Sequence, residues 1–411
     1  MILTLLYIDP GTGSALFAVI IGAAAAIVFS FHALLIKAKT LFTGGKIKLG
    51  AANKFVIYAE DKRYWILFKP IVEEFEKREI KLLYLTSSID DPVFDNSFRY
   101  IKTEYLGEGN KAFSRLNFIS ADFVLATTPG LDVYQWKRSK MAKHYCHIFH
   151  TLELSAGYEL YGMDYYDSIL LSAEHDKIFI RKLEEARNLP EKHIVTVGCP
   201  YLDEYSKKIS QIPEEENKTF TVLVSPSWGK SALLLRFGEK LLDPLVKTAW
   251  RIIIRPHPQS LIVEKEMIEK LSKRYEANSN VEWDFKNENI YSLKKADVMI
   301  SDFSGIILDY LFLFLKPVVY VSDKMDLRPY DTFEIYDNQD DLWIFKTLKK
   351  IGVELNPDFL DTLPDLIQKT AYDIDVKTAI TQIKNEVWNY QGLAWKNVVD
   401  FMIKTAGEDH A

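Results

Sequence analysis

Short apolar runs alternate with amphipathic stretches along most of the chain. Lys54–Ala59 is apolar and rich in β-prone residues, and Tyr64–Lys77 then places apolar side chains at helical spacing. Further apolar runs of the first half that we predict to be strands are Ile80–Thr86, Phe118–Thr127, His144–Phe149, Ser168–Ser172 and His193–Val197. Strands that alternate with helices predict a parallel, doubly wound sheet, the α/β class.

A second α/β series follows a polar stretch at residues 209–218. This stretch contains Pro213 and three consecutive glutamates, a composition typical of a linker between domains. The strands predicted after it are Phe220–Ser225, Arg251–Ile254, Val281–Asp284, Asp297–Ile300 and Pro317–Val321. Two such domains form a cleft where the carboxyl ends of their strands meet, which is where ligands bind.

The first apolar segment has a different pattern. Residues 15–36 contain no Asp, Glu, Lys or Arg. As a helix they would extend roughly 33 Å, which is enough to cross a bilayer. Lysines follow closely at positions 37, 39, 46 and 48, so the positive-inside rule predicts a single membrane span with the body of the protein on the cytoplasmic face. A buried N-terminal helix is the alternative.

These segments predict a chain of four parts. They are a membrane anchor and linker at 1–50, a Rossmann-like domain at 51–208, a second Rossmann-like domain at 219–385, and a C-terminal helix at 386–411 that packs back across the cleft. The composition, 48% hydrophobic and 26% charged, is that of a globular protein. The net charge of −6 excludes the basic balance of a nucleic-acid-binding protein, and the two cysteines exclude a disulfide framework.

A small polar turn, residues 301–305 (Ser-Asp-Phe-Ser-Gly), lies between a short apolar run and a long one. Ser301, Asp302 and Ser304 are common N-cap residues, and Gly305 allows a backbone to approach closely. Such a turn directs N–H groups and a helix dipole at one spot, which favours an anion such as a diphosphate. A capped helix start without a ligand is the alternative.

Residues 255–258 (Arg-Pro-His-Pro) end another predicted strand of the same half, and the two prolines stiffen the turn. Arg255 has the forked donors that clamp a phosphate. His257 is placed to give a hydrogen bond or a proton to a leaving diphosphate. Asp309, about one helical turn after Ser304, is a candidate ligand for ribose hydroxyls. The alternative is a histidine in a rigid loop beside an ordinary ion pair.

The loop at residues 225–229 (Ser-Pro-Ser-Trp-Gly) ends the first predicted strand of the second half. Its composition suits a loop that covers a nucleotide, with Ser225 at the strand end and Trp228 able to stack on a base. A packing tryptophan is the alternative.

Three histidines, His144, His147 and His150, stand three residues apart in the first half. Histidine is a common metal ligand, but residues three apart on a strand point to opposite faces, and no acid completes a familiar ligand set. We therefore predict no metal, and structural roles for His144 and His147. His150 ends its predicted strand at the cleft and is a candidate general base for an incoming hydroxyl. Glu153 is a weaker alternative base.

Together these residues resemble the membrane-associated glycerophosphotransferases of teichoic-acid synthesis, the CDP-glycerol:poly(glycerophosphate) glycerophosphotransferase family. The likeness spans roughly residues 120 to 400. Its strongest parts are residues 301–309 (Ser-Asp-Phe-Ser-Gly-Ile-Ile-Leu-Asp), the Lys-Pro-Val that follows at 316–318, and residues 255–258.

Three further segments are similar to motifs of that family. Residues 197–203 (Val-Gly-Cys-Pro-Tyr-Leu-Asp) are similar to its Gly-x-Pro-x-x-Asp turn, and residues 224–228 (Val-Ser-Pro-Ser-Trp) to its Pro-Thr-Trp loop. The family's histidine base lies in a Trp-His-Gly-Thr stretch. Residues 149–152 (Phe-His-Thr-Leu) are the nearest match, and they lack the tryptophan and the glycine.

The resemblance implies a GT-B architecture and phosphoryl-type transfer without a metal or another cofactor. It implies His150 as the base and a donor diphosphate surrounded by Arg255, His257, Ser301, Asp302, Ser304 and Asp309. The predicted function is membrane-associated transfer of a glycerol-phosphate or related polyol-phosphate unit from a CDP-linked donor to a lipid-linked or polymeric envelope glycan.

Two other functions stay open at the level of sequence. One is a nucleotide-sugar-dependent GT-B glycosyltransferase of envelope or capsule polysaccharide synthesis, which would use similar donor contacts. The other is a degenerate, non-enzymatic membrane scaffold.

Overall fold

The computed structural model describes residues 53–152, 158–215, 219–286, 288–302, 304–321 and 327–408. Two wholly parallel β-sheets with helices on both faces organise these residues, so the predicted α/β class with two doubly wound sheets is confirmed. No helix within the described ranges is long and apolar enough to cross a membrane. The span predicted at 15–36 and the alternative base Glu153 lie outside those ranges.

The first sheet has seven strands. They are β1 (Asn53–Ala59), β2 (Leu82–Thr86), β3 (Ile101–Tyr105), β4 (Ala121–Ala126), β5 (Ala142–Ile148), β6 (Ser168–Leu171) and β7 (His193–Thr196). Their order across the sheet is β3-β2-β1-β4-β5-β6-β7. The order reverses direction at β1 and β4, so the loops after these two strands and after their neighbour β5 border the crevice where doubly wound sheets bind ligands.

The second sheet has six strands. They are β8 (Thr221–Val224), β9 (Arg251–Ile254), β10 (Val281–Trp283), β11 (Val298–Ser301), β12 (Val318–Tyr320) and β13 (Gly352–Glu354). Their order is β10-β9-β8-β11-β12-β13, with the reversal between β8 and β11. The loops that carry Trp228 and Ser301–Gly305 therefore meet at this switch point.

Helices connect these strands and cover both faces of each sheet. They are α1 (Trp65–Lys77), α2 (Asn110–Leu116), α3 (His175–Arg187), α4 (Pro200–Ser210), α5 (Leu233–Val246), α6 (Ser260–Val263), α7 (Lys265–Arg274), α8 (Ile290–Lys295), α9 (Ile306–Phe314), α10 (Trp343–Ile351), α11 (Leu363–Ala371), α12 (Ile374–Val387) and α13 (Ala394–Glu408).

Two strands, β3 and β13, have no counterpart in the apolar pattern. Both are edge strands, and their sequences, Ile-Lys-Thr-Glu-Tyr and Gly-Val-Glu, leave several positions partly exposed. An edge strand of a parallel sheet is buried less than a central one, so a continuous apolar run is not required of it.

The C-terminal helix α13 returns from the second domain to the first. Val398, Val399 and Met402 are fully buried in the same apolar core as Phe68 of α1. Gly198, after β7, permits this return: its φ is +96°, and a Cβ there would lie 2.6 Å from the carbonyl oxygen of Asn389. A larger residue would force the returning chain away.

Asp203, in the first turn of α4, holds the same returning segment. Its Oδ1 accepts hydrogen bonds from Trp388 Nε1 at 3.0 Å and from the N–H of Gly392 at 2.8 Å. Its Oδ2 accepts from the N–H of Ala394 at 3.1 Å. Gly198 and Asp203 are the defining residues of the Gly-x-Pro-x-x-Asp turn, so in this fold the turn joins the two domains.

We expect Asp203→Asn to lower the free energy of unfolding by about 1–3 kcal/mol, because an amide cannot accept all three of these hydrogen bonds. Urea unfolding followed by tryptophan fluorescence measures the change. Asp340→Asn is the matched control, since the Asp340 carboxylate forms an exposed pair with Lys349 at 2.9 Å; we expect a change within about 0.5 kcal/mol. Equal stability of Asp203→Asn and the wild type would contradict the role of this carboxylate.

A buried ion cluster also joins the domains. Arg187, at the end of α3, contacts Asp164 and Asp331 at 2.6 Å each and Glu334 at 2.9 Å. Asp331 and Glu334 belong to the segment of the second domain that follows β12. The N–H of Asp331 donates to the carbonyl oxygen of Tyr158 at 3.0 Å, so this segment pairs with the loop that follows His150 in the chain.

Candidate functional site

His150 lies directly beyond β5, at the carboxyl edge of the first sheet. Its Nδ1 is 3.1 Å from Thr127 Oγ1 and 3.4 Å from the hydroxyl of Tyr158. The ring of Tyr64 packs against the imidazole, with centroids 4.9 Å apart. Burial, and to a lesser degree the positive charge of Arg63, lower the pKa of His150 to about 4. The imidazole is therefore neutral at pH 7, the form that accepts a proton.

The other two histidines of β5 have structural surroundings. His144 Nε2 is 2.7 Å from Ser168 Oγ, and its ring stacks on Phe123. His147 is fully buried, with Nε2 3.3 Å from the hydroxyl of Tyr158, and burial lowers its pKa to about 3. Across the described part of the chain, no group of three or more His, Cys, Asp or Glu side chains is arranged to hold a metal ion.

His257 lies in the turn after β9. The N–H of Gln259 donates to its Nδ1 at 3.1 Å, so in the neutral imidazole the proton is on Nε2. Burial lowers the pKa of His257, which favours this neutral form. The indole of Trp228 stacks beside it, with centroids 6.3 Å apart, and is 48% exposed. The second domain therefore presents an N–H donor next to an open aromatic surface.

Arg63 connects the two histidines electrostatically. Its charge contributes to the lowered pKa of both His150 and His257, although they belong to different domains. Arg63 directly precedes Tyr64, whose ring packs on His150, so the turn that carries Arg63 borders this histidine. Arg63 was not among the candidates from the sequence. It ends a charged run, residues 60–63, that follows β1 directly, and the strand-end criterion that selected His150 and His257 would also have selected it.

Arg255 braces two loops of the second domain. Its Nη1 donates to Asp284 Oδ2 at 2.7 Å and its Nη2 to the carbonyl oxygen of Lys286 at 2.7 Å. The residue is 8% exposed. Both terminal nitrogens are thus directed at protein oxygens after β10, and the phosphate clamp predicted for Arg255 stays a prediction.

Ser301 and Asp302 hold the loop at residues 225–229 in place through hydrogen bonds to its backbone. The hydroxyl of Ser301, which is fully buried, donates to the carbonyl oxygen of Ser225 at 2.6 Å. Asp302 accepts from the N–H of Ser227 at Oδ1 and from the N–H of Leu233 at Oδ2, each at 2.9 Å. Asp302 thus caps α5 and not its own helix, and the donor contact predicted for Ser301 and Asp302 stays a prediction.

Ser304 and Gly305 lie at the start of α9, and Phe303 before them is outside the described residues. No side chain of the described chain caps this helix, and Gly305 has an ordinary helical φ of −58°. Asp309 accepts a hydrogen bond from the hydroxyl of Tyr201 at 2.6 Å, which again joins the two domains. A ribose hydroxyl bound to Asp309, as predicted, would have to share this carboxylate with the Tyr201 hydroxyl.

Residues 151–336 match the family described as CDP-Glycerol:Poly(glycerophosphate) glycerophosphotransferase. The match covers slightly less than half of the chain. The resemblance drawn from the sequence is therefore confirmed, and the match supports a glycerophosphotransferase-like enzyme. The matched segment includes the loops of Trp228 and His257 and the turn at residues 301–305, and it begins directly after His150. None of the curated proteins matches the chain significantly.

Solved structures share the architecture. The wall teichoic acid polymerase TagF aligns with a TM-score of 0.55 and 15% identity, over 93% of this chain and 98% of that one. A UDP-N-acetylglucosamine 2-epimerase aligns with a TM-score of 0.58 and 13% identity, over 87% and 97%. The UDP-GlcNAc 2-epimerase of Neisseria meningitidis gives 0.56 and 14%, over 85% and 100%. At these identities the likeness shows the fold alone, a GT-B-like pair of parallel-sheet domains.

Proposed function

We propose that the protein moves a glycerol-phosphate or related polyol-phosphate unit from a CDP-linked donor to a lipid-linked or polymeric glycan of the cell envelope. The family match over residues 151–336 carries this proposal. A TagF structure obtained with CDPG further supports CDP-glycerol as the donor. The two histidines at the carboxyl edges of facing sheets supply the acid–base groups that such a transfer needs.

His150 acts as the general base in this proposal. The acceptor hydroxyl attacks the β-phosphorus of the donor, a new P–O bond forms, and the hydroxyl proton passes to the neutral imidazole. When Nδ1–H donates to Thr127 Oγ1, the lone pair is on Nε2, and the bond 3.1 Å long holds the ring in that orientation. Tyr64 packs against the ring and excludes water from one side.

The second domain stabilises the leaving nucleotide. As the bond from the β-phosphorus to the bridging oxygen breaks, negative charge develops on CMP. The Nε2–H of His257 is a donor for that charge, and Trp228 beside it offers a stacking surface for the base. Ser304 and the uncapped start of α9 provide further N–H and O–H groups for the same anion.

We also propose that the protein is anchored at the membrane through the predicted span at 15–36, with the catalytic domains on the cytoplasmic face. The support is the uncharged stretch and the lysines that follow it. An anchor of this kind would keep the cleft near a lipid-linked acceptor, which raises the effective concentration of that acceptor.

A donor panel tests the proposed chemistry. The full chain in detergent is incubated with an envelope lipid fraction and with CDP-glycerol, CDP-ribitol or UDP-GlcNAc, and nucleotide release is measured. We expect CMP release from a CDP-polyol that depends on the acceptor and is strongly reduced in His150→Ala. Transfer from UDP-GlcNAc without turnover of any CDP-polyol would identify a glycosyltransferase instead and overturn the proposal.

A further inference from the structure

We infer that Arg63 is a donor-binding residue whose guanidinium contacts the diphosphate from the first domain, opposite His257. This inference rests on the proposed function, because it takes a nucleoside diphosphate as the ligand. It assigns to Arg63 the phosphate contact that the sequence pattern had suggested for Arg255.

The turn that carries Arg63 presents its guanidinium in a fixed orientation. Arg63 lies in a short 3₁₀ turn, Lys62–Tyr64, directly after β1. Asp61 accepts hydrogen bonds from the backbone N–H of Arg63 at 2.8 Å and from its Nε at 2.9 Å. The side chain is 76% exposed, and within the described ranges no residue accepts a hydrogen bond from Nη1 or Nη2. The two terminal guanidinium nitrogens, Nη1 and Nη2, are therefore available to donate hydrogen bonds to a ligand.

The same turn lies against the proposed catalytic base. The ring of Tyr64 packs on His150 with centroids 4.9 Å apart, and the Arg63 guanidinium lies 6.0 Å from the Tyr64 ring centroid. Arg63 also contributes to the electrostatic surroundings of His257 on the other side of the cleft. A phosphorus atom attacked by a hydroxyl bound to His150, with its leaving oxygen near His257, therefore lies within the field of Arg63.

A donor diphosphate needs positive charge that Arg255 does not offer freely. Arg255 is 8% exposed and directs its terminal nitrogens at Asp284 and Lys286. The Arg63 side chain, in contrast, is exposed on the turn that packs against His150. A ligand held by Arg63 and by the loop of Trp228 would span both domains. Donor binding would then also orient His150 and His257 around the reacting phosphorus.

Nucleotide binding to single-residue variants tests this assignment. Isothermal titration calorimetry measures CDP and cytidine binding to the wild type, Arg63→Gln and Lys62→Gln. Lys62 is the matched control, because it lies on the same turn but pairs with Asp90. We expect Arg63→Gln to weaken CDP about 10- to 100-fold, as loss of a charge-assisted hydrogen bond predicts, with cytidine binding unchanged. We expect Lys62→Gln to bind both ligands as the wild type does.

The outcomes separate this inference from the proposed function. Wild-type affinity for CDP in a folded Arg63→Gln variant overturns the role of Arg63 and leaves the proposed function standing. UDP is titrated in parallel: if the wild type prefers UDP to CDP, and Arg63→Gln weakens UDP, the role of Arg63 holds and the CDP-linked donor is wrong. If the wild type binds no nucleoside diphosphate, both are overturned.

Discussion

Replacement of His150 by alanine is expected to lower kcat by about 10²- to 10⁴-fold, the usual contribution of a general base. The reason is positional: the imidazole stands at the carboxyl edge of the first sheet, fixed by Thr127 at 3.1 Å and by the ring of Tyr64. Steady-state CMP release with saturating donor and acceptor measures kcat. His144→Gln is the matched control, because His144 is on the same strand but bonds Ser168 Oγ; we expect its kcat within about twofold of the wild type.

The pH dependence follows from the lowered pKa of His150. Since burial holds this pKa near about 4, the base is already unprotonated at pH 5.5, where an ordinary histidine is mostly charged. We expect no loss of kcat/KM from protonation of His150 between pH 8 and 5.5. The free energy of unfolding, in contrast, does depend on pH in this range. The unfolded chain protonates His147 and His150 near pH 6.5 and the folded chain does not, so stability falls as the pH drops from 6.5 towards 4.

Two results would contradict the role of His150. A folded His150→Ala variant with kcat within about threefold of the wild type would exclude it as the base. An acid limb near pH 6.5 in the wild type that disappears in His150→Ala would show that His150 titrates in its ordinary range, and that its surroundings in the active enzyme differ from those described.

Arg187→Met is expected to lower the free energy of unfolding by about 3–5 kcal/mol, because it removes one partner of a buried ion cluster. The side chain of Asp331 has no exposed surface and that of Arg187 only 7%. Without the guanidinium, the carboxylates of Asp164 and Asp331 would repel each other in a buried site. Urea unfolding gives the stability, and hydrogen exchange at residues 158–166 and 327–336 reports the loosening of the contact between the domains.

The same substitution is also expected to lower kcat. The N–H of Asp331 donates to the carbonyl of Tyr158, and the Tyr158 hydroxyl lies 3.4 Å from His150 Nδ1, so the cluster positions the base through one residue. Asp331→Asn in the Arg187→Met background is the matched control. It removes a buried charge that lacks its partner, and we expect it to recover part of the lost stability.

A pH series sharpens this test. Burial already raises the pKa of Asp331, and the Arg187 contacts are among the interactions that lower it. In Arg187→Met the pKa should rise further, and protonation at lower pH then removes the repulsion. The stability difference from the wild type should therefore shrink as the pH falls from 8 to 5.5. A difference that is constant with pH, or smaller than about 1 kcal/mol, would show that the cluster does not hold the domains together.

The sequence alone determined the class of the fold and the edges where its chemistry lies. Central strands such as β1 and β11 are apolar throughout because both faces of a parallel sheet are covered, so their pattern is unambiguous. Polar residues that end such runs, including His150 and His257, lie at the carboxyl edge whatever the details of packing. The resemblance to the glycerophosphotransferases rests on the same strand ends.

Only the tertiary structure decided which of these polar residues remain open to a ligand. Arg255 meets Asp284, Ser301 meets the carbonyl of Ser225, and Asp309 meets Tyr201, contacts between residues 29, 76 and 108 positions apart. No local pattern encodes such pairings, because a hydrogen-bond partner is fixed by the packing of distant elements. The exposed guanidinium of Arg63 is the converse case, because the fold places this residue beside the Tyr64 ring that packs on His150.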